Sequence, residues 1–304
     1  MTKTLTIAHS PDPDDVFMWW PLGTEGAAAV IDTEGLRFEA MAEDIQVLNR
    51  RAMERGDLDI TAISMRAYPH ICGRYRLTAC AGSFGDSYGP KVVARGKGGG
   101  FGTGDEAERW LGRPEMTIAI PGRHTTAYLA LEVLLGRSIR VVEMRFDEIP
   151  GAVAEGRAEA GLLIHDAQLT YGALGLVEVG DLGVWWRREY GLPLALGGNV
   201  VRRDLDARHG AGMSVRVARV LHRSISHALG NIDEGVGRIG GKYPSLDDGT
   251  LRRYLSMYVN GLTLDAGLEG RRAIETVLMA GHRRGLCPDP GEIDLLTHDG
   301  GVSG

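Results

Sequence analysis

The 304-residue chain is poor in cysteine, lysine and phenylalanine, and it has no long apolar run. Its three cysteines, Cys72, Cys80 and Cys287, form neither a metal-type pair nor a disulfide framework. An odd count suits a reducing compartment. No stretch reaches the roughly 18 apolar residues of a membrane span, so no membrane partner is expected. The opening residues Met1 to Ser10 lack the apolar core and the small-residue cleavage site of a secretory signal, and a cytoplasmic location is expected. The net charge of −6 and the lack of any basic block argue against a nucleic-acid partner. The acids Asp12, Asp14 and Asp15 invite a metal reading, but two prolines and the lack of a glycine at the sixth position break the calcium-loop pattern. Capping of the following helix by Asp14 or Asp15 is the simpler expectation. No nucleotide-type glycine fingerprint, G-x-S-x-G or H-E-x-x-H motif occurs, and the glycine tract at 96–104 reads as a surface loop.

What is present is ordinary globular material: 43% hydrophobic and 24% charged residues. At about 100–200 residues per domain the length suggests two domains or one large one. Short apolar runs at 5–8, 36–41, 59–64, 76–81, 91–94, 116–120, 139–146, 160–164, 176–179 and 194–202 read as strands. Helical patterns at 44–55, 126–135 and 147–157, the last with Asp147 as its cap, alternate with them. This βαβα rhythm predicts an α/β class with largely parallel sheets. Three further helices at 214–229, 251–259 and 268–284, with Ser214 as an N-cap and Gly285 just past the end, make a helical C-terminal third. Two strand-like segments that each follow a proline turn, near 90–95 and 194–203, are the expected crossovers. They divide the chain into a discontinuous larger lobe, 1–94 with 200–304, and a smaller lobe, 95–199.

Several strands end in polar residues. The first runs into His9-Ser10-Pro11-Asp12, the third into Ser64, another into Pro121-Gly122-Arg123-His124-Thr125-Thr126, and a fourth into His165-Asp166. Ligands of open α/β sheets lie beyond such strand ends, so these clusters are expected to converge on one cleft. The start of the helix at Thr125-Thr126 suits a carboxylate or phosphate; plain capping is the alternative. His165 follows a run too apolar for a surface strand. It is either a base near neutral pH or a hydrogen-bonded structural histidine. Trp185, Trp186 and Tyr190 are candidates for stacking on an aromatic ligand or for core packing.

Several blocks, in this order, carry a family resemblance: Ser10-Pro11-x-Pro13-x-Asp15-x-Phe17, Glu43-Asp44-Ile45-x-x-Leu48-Asn49, Pro121-Gly122-Arg123-His124-Thr125-Thr126-Ala127-Tyr128, Gly161-Leu162-Leu163-Ile164-His165, and Asp181-Leu182-Gly183-x-Trp185-Trp186. The chain resembles the 1,4-dihydroxy-6-naphthoate synthases of the futalosine route to menaquinone. The resemblance implies a two-lobed fold like type 2 periplasmic binding proteins, with two crossover strands. It implies a cytoplasmic carbon–carbon lyase that converts cyclic dehypoxanthine futalosine to 1,4-dihydroxy-6-naphthoate and a three-carbon sugar fragment, with no metal or organic cofactor and with a small-molecule carboxylate as its substrate. The family's base falls on His165, and its substrate contacts on Ser10, Ala62, Ile63, Ser64, Thr125, Thr126 and Ala127. Asp12, Asp14 and Val16 stand where the family usually has Cys, Asn and Thr, and Asp166-Ala167 where it has Glu-Ser. A non-catalytic carboxylate-binding protein and a chorismate dehydratase-type lyase are the competing readings of the same fold.

Overall fold

The computed structural model describes residues 3–24, 26–96, 109–111, 113, 115–137 and 139–300. In chain order its strands are β1 (Lys3–His9), β2 (Leu36–Ala42), β3 (Ile60–Ser64), β4 (Tyr75–Thr78), β5 (Ser83–Gly85), β6 (Lys91–Arg95), β7 (Thr117–Ile120), β8 (Arg140–Glu143), β9 (Ala160–Leu163), β10 (Leu176–Asp181), β11 (Leu194–Arg202) and β12 (Leu295–Leu296). They build two sheets. One has the order β12-β4-β11-β3-β1-β2 with β5 alongside β11, and the other the order β10-β6-β9-β7-β8. The chain leaves the first sheet after β5, enters the second at β6, and returns at β11.

The ten expected strands are all present; β5 and β12 are additional. The sheets are mixed, not largely parallel. β1 is parallel to β2 and β3, and β7 to β8 and β9. β6 and β11, however, run antiparallel to their strand neighbours. A βαβ connection restores strand direction, whereas β6 and β11 each arrive directly from the other sheet and enter from its opposite end. The central strands β3 and β9 are buried along their whole length, as continuous apolar runs flanked on both sides require.

Local signals explain several helices. Asp44 caps Ile45–Glu54 by accepting from the backbone N–H groups of Gln46 and Val47 at 2.8 and 3.3 Å. Thr125 caps Thr126–Leu135 through Tyr128 N–H, and Gly136 ends that helix at φ +60°. Two expected caps are corrected. The helix over 149–154 begins at Ile149, behind a 3₁₀ turn, and Asp147 pairs with Arg145 in solvent. The helix Met213–Gly230 has Gly212 at its cap position, while Ser214 gives both its N–H and its hydroxyl to Asp206 Oδ1 at 2.7 Å. Residues 97–104 of the glycine tract lie outside the described residues.

The C-terminal helices pack on the first one. Pro13–Trp19 is buried on every residue. Phe17 and Trp19 join Val217, Leu221, Leu251 and Leu255 in one apolar cluster. Each fully buried large side chain contributes about 1.5–3 kcal/mol, so this packing fixes the loop ahead of Pro13. Ser224 Oγ donates to the carbonyl of Met18 at 2.6 Å and adds a polar tie. Trp186 is buried and stacked on Tyr190 at 4.1 Å, which places the tryptophan in the core. No helix among the described residues is long and apolar enough to cross a membrane.

Candidate active site

The cleft encloses about 710 Å³, including its open mouth, and is lined from both sheets. Four strand ends meet in it. Ser10 and the acids behind it follow β1, and Ala62, Ile63 and Ser64 close β3. Thr125, Thr126 and Ala127 follow β7, and Ile164 and His165 follow β9. Ser10, Ala62, Ile63, Ser64, Thr125, Thr126, Ala127 and His165 therefore all line one cavity. The aromatic residues Trp185, Trp186 and Tyr190 do not line it, and neither does His124.

One wall is neutral and closely bonded. Asn49, fully buried, donates to Ser64 Oγ at 3.0 Å and accepts Ser64 N–H at 2.8 Å. Thr126 Oγ1 donates to the carbonyl of Leu196 at 2.6 Å and accepts Arg66 N–H at 3.2 Å. Thr125 Oγ1 donates to the carbonyl of Gly122 at 2.8 Å and accepts Tyr128 N–H. Both threonine protons are thus committed within the protein. The backbone N–H groups of Thr126 and Ala127, ahead of the first intrahelical bond, are the donors this wall offers to an anion. Gly122, at φ +155°, holds the turn against the helix Ile45–Glu54: a Cβ there would lie 2.4 Å from Gln46 Oε1. That oxygen accepts the His124 N–H at 3.1 Å.

The opposite wall is crowded with charge. His165 Nδ1 meets Asp12 Oδ2, and the same oxygen accepts the Ser10 hydroxyl. Asp15 Oδ2 accepts Ser10 N–H at 2.8 Å, and Tyr254 donates its hydroxyl to Asp14 Oδ1 at 3.2 Å. Asp14 and Asp15 lie inside the helix Pro13–Trp19 and are not its caps; Asp12 holds the cap position, without a side-chain capping bond. The edge of Phe146 packs on the His165 ring with centroids 4.7 Å apart. His165 has a left-handed backbone at φ +59° and keeps only 16% of its side chain exposed. Its Nε2 is buried without a hydrogen-bond partner.

The titration behaviour follows from this crowding. Burial pushes His165 down. The Asp12 charge and hydrogen bond, helped by Asp14 and Asp166, more than reverse this and hold it at about 9. Burial, then the neighbouring Asp15 and Asp12 charges, raise Asp14 to about 8. Asp15 is raised to about 6 by burial and by Asp12. Near neutral pH the wall therefore holds an imidazolium–carboxylate pair beside a protonated Asp14. Among the described residues, no three His, Cys, Asp or Glu side chains are grouped to hold a metal ion.

Sequence reasoning put Asp12 in the polar cluster after the first strand and noted it as a departure from the family pattern, but missed its contact with His165. It also missed Gln168, Tyr254 and Tyr258, which line the cavity from distant segments. Tyr258 donates to Gln168 Oε1 at 3.0 Å.

Comparison with known proteins adds the following. A family model described as menaquinone biosynthesis matches residues 5–283. The 1,4-dihydroxy-6-naphthoate synthase of Thermus thermophilus is 35% identical over 289 residues, which is 95% of this chain and 98% of that one. A solved structure of an Archaeoglobus fulgidus protein has a TM-score of 0.79 at 35% identity, covering 93% of this chain and 98% of that one. A Candida albicans protein with the generic periplasmic binding protein fold has a TM-score of 0.63 at 10% identity, covering 94% and 91%; at that identity only the fold is shared.

Proposed function

Because the chain belongs to the menaquinone biosynthesis family, we propose that it is a 1,4-dihydroxy-6-naphthoate synthase, a lyase acting on cyclic dehypoxanthine futalosine with His165 as its general base. The observation that carries this reading is His165 in the cleft wall, with Nδ1 held by Asp12 and a buried Nε2 that has no hydrogen-bond partner among the described residues. In the neutral ring that arrangement leaves the lone pair on Nε2, where a substrate proton can be taken. Cleavage of the three-carbon fragment leaves an aromatic product, so much of the driving force lies in the substrate. The protein has to place a base and hold a carboxylate. The N–H groups of Thr126 and Ala127 and the hydroxyl of Ser64 are the groups we assign to the carboxylate. The larger lobe, 1–94 with 200–304, would close on the smaller, 95–199, and exclude water. A cytoplasmic location suits such an enzyme.

The imidazole holds its proton up to about pH 9. At pH 7 about one ring in a hundred is then free to act as a base. The ratio kcat/KM should therefore climb with pH. Incubation of the purified protein with the cyclic substrate, with products identified by mass, tests the reading. Absence of the naphthoate, or full activity in His165→Ala, would overturn it.

A further inference from the structure

We infer that Asp12 is a positioning residue for His165: a carboxylate carried by one sheet fixes the tautomer and orientation of a base carried by the other, so the base is assembled only when the two faces of the cleft meet. This deepens the proposed function and rests on His165 as the base.

Three observations support it. Asp12 stands at the end of β1, in the seven-stranded sheet, and His165 follows β9, in the five-stranded sheet, so the contact spans the cleft. Asp12 is itself held: its Oδ2 also accepts the Ser10 hydroxyl, and its N–H donates to Ser10 Oγ at 3.1 Å. The imidazole, finally, has one defined orientation. Its Nδ1 faces the carboxylate, its ring is braced by Phe146, and its Nε2 has no protein partner. A ring nitrogen bonded to a fixed carboxylate carries the proton, and the other is then the base. Loss of such a carboxylate can present the wrong tautomer while leaving the geometry intact.

The acidic neighbours do not replace Asp12. Asp14 is engaged by Tyr254 from the helix Asp248–Tyr258, and Asp15 by Ser10 N–H. Asp166 adjoins His165 in the chain, and Asp44 on the helix side adds a more distant charge. These groups alter the field at the ring, but among the described residues only Asp12 is seen to contact Nδ1.

The test is a ¹⁵N and ¹³C NMR titration of the histidine side chains in the full chain, with His165 assigned through His165→Gln. In the unsubstituted protein, above the titration midpoint, the expected signature is a protonated Nδ1 and a lone-pair Nε2. Rapid averaging of the two tautomers would overturn the proposal without any variant. In Asp12→Asn the midpoint should fall by at least one pH unit, and in Asp12→Glu it should stay high. With the cyclic substrate, Asp12→Asn should lose about 10²-fold or more in kcat with KM changed less than threefold, and Asp12→Glu should recover part of the loss. An unchanged midpoint in Asp12→Asn, or a kcat within twofold, would overturn it. If the unsubstituted protein forms no naphthoate, the proposed function fails, while the tautomer and midpoint still decide whether Asp12 positions this ring.

Discussion

The two walls of the cleft use polar side chains in opposite ways. Around Asn49, Ser64 and Thr126 the groups are neutral, buried and matched donor to acceptor at 2.6 to 3.2 Å. Around Asp12, Asp14, Asp15 and His165 four ionisable groups share one small volume, and three of them titrate far from their ordinary ranges. Satisfied hydrogen bonds make a rigid surface; crowded charges make a reactive one at a cost in stability. Chemistry is expected where bonding is least settled, and shape where it is complete.

Four experiments would break or sharpen that contrast. The largest effect is expected for His165→Ala, which should reduce naphthoate formation by about 10²- to 10⁴-fold with an unchanged circular dichroism spectrum. Next, kcat/KM of the unsubstituted enzyme should rise close to tenfold per unit from pH 7 and level off near 9, where His165 loses its proton. A flat profile across that range would separate the reactive wall from the turnover step. On the quiet wall, Asn49→Ala should cost about 1–3 kcal/mol in urea unfolding, because Ser64 N–H is left buried and unpaired.

The last experiment concerns pH and stability. The folded-state value of Asp14 is raised from 3.8 to about 8, and that of His165 from 6.5 to about 9. In both cases the folded chain holds a proton that the unfolded chain has released. The resulting stability is complete below the unfolded value and is lost as pH rises through the folded one. Urea midpoints should therefore decline from pH 5 to pH 9, and Asp14→Asn should flatten the portion between about 4 and 8. A steeper decline in that variant would contradict the account of Asp14.

Much of this architecture is legible in the chain because its signals are local. The largely apolar runs of β3 and β9 announce buried strands, and the polar residues at or just past their ends, Ser64 and His165, mark the cleft. Asp44 and Thr125 act as caps where helix chemistry puts them. What was not legible depends on tertiary partners. Ser214 is taken by Asp206, eight residues earlier, so it does not cap. β5 and β12 have three and two residues, too few to show any periodicity. The direction of β6 and β11 follows from a passage between sheets and not from composition. Tyr254 reaches Asp14 across 240 positions, and Asp12 reaches His165 only once both sheets exist. Asp12 stood in the sequence as one of a polar cluster after β1 and as an unexpected acid, but its contact with His165 requires the opposing residue to be in view.

The bare hydrogen of Gly122 has a bearing on how such a protein can vary. A methyl group at that position would run into the Gln46 side chain, so alanine would displace the far end of that side chain and cost it the bond from His124 N–H. Tolerance at position 122 therefore depends on the residue at 46, and a shorter side chain there is the natural compensating change.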